Sequence, residues 1–92
     1  MKKFFISYWF NVVIAAIAAY FAIMQEVWIG TDINTIGAIG FGTVAAFCLS
    51  IGAEIIKMLP KITYWNKTHV IYGTIGGFIS AVITSILFVW TL

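Results

Sequence analysis

Apolar residues fill three stretches of the chain, 4–24, 33–56 and 70–92. The charged residues Lys2, Lys3, Glu26, Asp32, Glu54, Lys57, Lys61 and Lys67 stand at or near the ends of these stretches. Each stretch is close to or above the ~20 residues that a helix needs to cross a ~30 Å hydrocarbon core. They are too long and too continuous for the alternating ~10-residue strands of a barrel. The pattern predicts an all-α membrane protein of three transmembrane helices in an antiparallel up-down-up bundle. It forms one domain over residues 1–92, with spans at about 4–24, 33–58 and 69–91.

The ends of the spans follow from local chemistry. Pro60 lacks an amide proton and disfavours helix just before it, so the second helix should stop near Met58 or Leu59. Asp32 is the expected N-cap of that helix, and Asn66 or Thr68 that of the third. The short connections make sequential helices antiparallel neighbours. With the N-terminus in the cytoplasm, all five lysines fall on the cytoplasmic side and Glu26 and Asp32 face outward, which sets an N-in, C-out topology. Interfacial aromatics agree, with Tyr8, Trp9, Tyr64, Trp65 and Tyr72 at the inner level and Tyr20, Trp28 and Trp90 at the outer one. Lys2-Lys3, the apolar run and Ala16-Ile17-Ala18 have the parts of a cleavable signal. The run continues to Met24 without a polar break, and the reading adopted is a retained helix.

Small residues four apart let transmembrane helices approach closely, and each span has such a ridge. They are Ser7, Asn11, Ala15 and Ala19 in the first, Ala38, Gly42, Ala46 and Ser50, ending at Glu54, in the second, and Gly73, Gly77, Ala81 and Ser85 in the third. Two uses are open: packing the three helices together, or meeting a second copy in a homo-oligomer. Gly37, Gly40 and Gly42 crowd the second span for close contact or a kink. Cys48 and Met24 read as packing residues.

Composition narrows the function classes. The 92 residues are 63% hydrophobic and 9% charged, with a mean hydropathy of +1.09, against about 25% charged in soluble domains. A water-soluble globule is excluded. Cys48 has no cysteine to pair with, and no Cys/His spacing suits a metal. Neither a nucleophile with its base nor a glycine-rich phosphate loop is present. No enzyme, cofactor or metal is expected. Without arginine, nucleic-acid binding has no support, and the expected partners are the bilayer, a second copy or an envelope membrane protein.

Orientation brings Asn11, Glu54, His69 and Tyr72 to one depth, where they form a candidate intramembrane polar cluster. Glu54 is the leading candidate, since ionisable groups within a span usually face the bundle interior or a partner. The competing reading pairs it with Lys57, three residues on, both reaching to the interface. Lys57, Lys61 and Lys67, interleaved with Tyr64 and Trp65, form a strip suited to anionic lipid headgroups.

The stretch Ser50-Ile51-Gly52-Ala53-Glu54-Ile55-Ile56-Lys57, a short loop and His69-Val70-Ile71-Tyr72-Gly73-Thr74-Ile75-Gly76-Gly77-Phe78-Ile79-Ser80 resembles the later part of VanZ-like membrane proteins. Those show a helix ending in Gly-x-Glu or Gly-x-x-x-Glu, an aromatic loop, then Asp-x-x-x-Asn-x-x-Gly-x-x-x-Gly. Glu54 and Gly76 match, whereas His69, Gly73 and Ser80 replace the Asp, Asn and last Gly. The resemblance covers about half the chain and implies an envelope-associated protein of the bacterial inner membrane. Size and topology also resemble three-helix phage holins, which act as membrane-permeabilising oligomers in the host membrane, although the chain ends in apolar Trp90-Thr91-Leu92 where holins carry a charged tail.

Overall fold

The structure is a computed structural model, and it describes residues 3, 6–30, 34–59 and 65–90. The expectations for Asp32, Pro60, Lys61 and Tyr64 lie outside these residues, and the side chain of Trp90 is likewise not described. Three helices, α1 (Tyr8–Ile29), α2 (Thr35–Met58) and α3 (Lys67–Thr84), run up, down and up; α3 continues into a π-helical segment, Ser85–Trp90. All three spans are long and apolar enough to cross a membrane. The bundle measures 44 × 21 × 19 Å, and its long axis matches the ~40–45 Å of a bilayer with its headgroups.

Helix ends follow backbone chemistry more closely than the limits of the apolar runs. α1 was expected over residues 4–24 but runs to Ile29, because Gln25 and Glu26 are good helix formers. It stops where Gly30 takes a left-handed φ of 87° and its N–H reaches the carbonyls of Glu26 and Val27. Ser7, in extended conformation, precedes its first turn. Asn34 is the N-cap of α2, its side chain accepting from the Gly37 N–H at 2.6 Å. Asn66 caps α3, accepting from the Thr68 N–H at 3.0 Å.

All three small-residue ridges turn inward. Ala15, Ala19, Gly42, Ala46, Ser50, Gly73, Gly77 and Ala81 are buried between the helices. A Cβ at Gly77 would overlap that of Ala46 and sit 3.3 Å from Ala15, so hydrogen is the largest substituent that the three-helix contact admits. Gly42 is less tight, a Cβ there lying 2.9 Å from Ala81 and Ile23, whereas Gly40 has open space beside it. With lipid outside there is little hydrophobic drive between helices, so this backbone approach and its dispersion contacts hold the bundle. The Ser80 hydroxyl adds a cross-link, donating to the Ala16 carbonyl at 2.9 Å. Met24 packs inside, but Cys48, expected to pack, is exposed on the outer face of α2.

Candidate functional site

Near the end of the bundle where α1 and α3 begin and α2 finishes, five side chains from three helices form one buried network. Asn11 comes from the second turn of α1, Ser50, Glu54 and Lys57 from the last turns of α2, and His69 from the first turn of α3. Asn11, Ser50, Glu54 and Lys57 are fully buried, and His69 is partly so. The ridge that brings Gly42, Ala46 and Ser50 inward brings the charged pair inward as well.

Lys57 is the hub. Its ammonium donates to the Ser7 carbonyl at 2.9 Å, to Glu54 Oε1 at 3.0 Å and to Asn11 Oδ1 in a short contact. It also lies 5.5 Å from the centroid of the Phe10 ring. Asn11 Nδ2 donates to the Ser50 carbonyl at 3.1 Å, and the Ser50 hydroxyl donates to the Val70 carbonyl at 3.3 Å. The network therefore ties all three helices together.

Donor counting fixes the histidine. The three ammonium hydrogens of Lys57 already meet three oxygens, and a carboxylate can only accept. His69 Nδ1, 3.1 Å from Glu54 Oε1 and 3.4 Å from Lys57 Nζ, therefore carries a hydrogen and donates it to Glu54. Glu54 Oε1 thus receives two hydrogen bonds, while Oε2 is buried with no partner among the described residues.

No protein-family model, curated protein or solved structure matches this chain. What the site can do rests on its own geometry.

Of the four residues expected to cluster, Glu54 and His69 touch, Asn11 is joined to them through Lys57, and Tyr72 lies apart. Its ring is exposed and packs against Tyr8, with centroids 4.9 Å apart. The face of α3 carrying Gly73 and Gly77 points inward, and a helix turns about 100° per residue, so Tyr72 is rotated away from the network. Lys57, expected among the headgroups, is sealed inside, where Ser7, Asn11 and Glu54 replace its hydration. Lys67 is exposed. Lys57 stands seven residues after Ser50, two turns along the same face, and that spacing was the available signal for its burial. Among the described residues, no cluster of His, Cys, Asp and Glu side chains could hold a metal.

Proposed function

We propose that the chain is a non-enzymatic, small integral protein of the bacterial inner membrane that acts by lateral helix packing with an envelope membrane protein or a second copy of itself. The observation that carries this reading is the inward turn of the polar network and of the small-residue ridges. Asn11, Ser50, Glu54 and Lys57 bond to one another, and the three ridges pack against each other. Large apolar side chains such as Ile36, Val44, Ile55, Ile71 and Ile83 are left on the outside. Connections of a few residues offer little surface beyond the membrane, so contact within the bilayer is the action this design favours. The lysine bias supports an N-in, C-out orientation. A VanZ-like role is the specific form of the proposal, with Glu54 and Gly76 as its supporting residues. The holin-type reading asks for polar side chains on an outer face, and the inward network gives it less support.

Cys48 supplies the test, since it is the chain's one cysteine and is exposed on the outer face of α2. Oxidative or bifunctional thiol cross-linking in native membranes should yield a dimer or a discrete larger adduct, supplemented by single cysteines at Ile36, Ile79 and Ile83, all exposed, in a Cys48→Ser background. Only uncross-linked chain from every position would refute lateral packing.

A further inference from the structure

Outside the α2–α3 seam lies an open groove of about 580 Å³. Phe47, Ile51, Ile71, Ile75 and Phe78 wall it, and Lys67 stands at its mouth. Its volume is that of an ordinary small-molecule site, but its wall offers almost nothing to hydrogen-bond. The Thr43 and Thr74 hydroxyls, which also line it, donate to the Ile39 and Val70 carbonyls of their own helices, at 2.7 and 2.8 Å. The groove is built for hydrocarbon.

Length and charge narrow the occupant. From Lys67 to Phe78 a helix rises about 16 Å, roughly half of a ~30 Å hydrocarbon core, so the groove is one leaflet deep. At its mouth the Lys67 ammonium has no ion-pair partner among the described residues. Of the acids among the described residues, Glu54 is engaged by Lys57 and His69, and Glu26 lies in the last turn of α1, at the other end of the bundle. We propose that the groove binds an anionic glycerophospholipid of the leaflet at the lysine-bearing end, one acyl chain lying between α2 and α3 and the phosphate on Lys67. Trp65, half exposed beside the mouth, sits at the glycerol level, where indoles are favoured. A second copy in the same orientation fits less well, because it would bring another Lys67 to the same level and, among the described residues, no free acid to meet it.

This inference rests on the reading that the lipid-facing surface is the working one. Its test is native mass spectrometry of the full-length purified chain, titrated with phosphatidylglycerol or phosphatidylcholine of identical acyl chains. The expected result is one phosphatidylglycerol retained per chain, about fivefold more tightly than phosphatidylcholine, the difference expected of one interfacial lysine. Lys67→Gln, an exposed change that leaves the packing untouched, should remove that preference. Ile75→Trp should fill the groove and displace both lipids. Equal retention of the two lipids, indifference to Lys67→Gln, or photocross-linking from position 75 to a second chain instead of lipid would overturn the proposal. Loss of lipid selectivity with Cys48 adducts intact removes the groove proposal alone; loss of both removes the reading beneath it.

Discussion

The Lys57 ammonium donates to the carboxamide oxygen of Asn11, 46 positions earlier in the chain, and neither side chain reaches the surface. An ammonium taken out of water loses several kcal/mol of solvation, which is offset only if every hydrogen finds an acceptor. Three oxygens meet that condition here, one from a carboxylate, one from an amide and one from the Ser7 carbonyl. The same contacts fix rotation and depth. A slip of α2 by one turn would withdraw Lys57 from all its partners outside its own helix, so the network selects one register among many that small-residue ridges alone would allow.

Glu54→Gln should therefore cost far more than the loss of a surface pair. Leaving a buried charge without its counter-charge costs about 3–5 kcal/mol, against ~0–1 kcal/mol for exposed pairs. Unfolding measured in mild detergent should show a loss in the larger range. Combining Glu54→Gln with Asn11→Ala should reveal coupling of about 0.6 kcal/mol or more, because one change removes the counter-charge and the other an acceptor of the same ammonium. Strict additivity would mean that the two residues do not share Lys57.

The two glycine environments on the bundle predict opposite outcomes. Gly77→Ile forces a branched side chain into Ala46 and Ala15, and such overpacking costs about 1–3 kcal/mol or more. Gly40→Ala meets open space and replaces a poor helix former, for a gain of roughly 0.5–1 kcal/mol. Thermal melts of the two variants should move in opposite directions from the parent. A Gly77→Ile protein that melts like the parent would place this ridge against lipid.

The helices and their small-residue ridges were legible because bilayer thickness and close packing leave plain marks in sequence, whereas the inward use of all three ridges was one of two open readings. Helix ends were less so. The change from apolar to polar residues near Met24 marks where hydrocarbon gives way to interface, whereas α1 ends at Gly30, whose left-handed backbone is a separate device. Asn66 was legible as a cap; Asn34 was passed over for Asp32, since both fit the same chemistry two residues apart. Asn11, Glu54 and His69 could be grouped by depth. Depth alone does not fix rotation about the helix axis, which is why Tyr72 was included and Lys57 left among the headgroups. The ridge drawn in steps of four ended at Glu54, and a further step of three reaches Lys57.

Orientation yields a prediction independent of the network. With Lys57 neutralised by Glu54, the lysines Lys2, Lys3, Lys61 and Lys67 still share one side under the up-down-up order, and a basic excess of this kind is retained in the cytoplasm. A reporter that works only outside the cytoplasm should be active when fused after Leu92. A cytoplasm-only reporter active at that site would invert the assignment.

Replacing the ion pair with hydrocarbon separates stability from register. Lys57→Met alone leaves the buried Glu54 carboxylate without its counter-charge, its Oε2 having no partner among the described residues, and should destabilise by about 3–5 kcal/mol. Adding Glu54→Leu removes the stranded charge, and buried pairs exchanged for apolar residues of similar size are often neutral or gain about 1–4 kcal/mol. Here the gain should be partial, because the buried Asn11 Oδ1 loses its donor, at about 1–3 kcal/mol, and the partly exposed His69 Nδ1–H loses its acceptor at a smaller cost. The double variant should thus melt above Lys57→Met and close to the parent. What it loses is the selection of depth and rotation: cysteine cross-links between the start of α1 and the end of α2 should change from one dominant pairing to several. A double variant as unstable as Lys57→Met would show that the pair stabilises the bundle directly, and a single unchanged pairing would show that the ridges set the register without it.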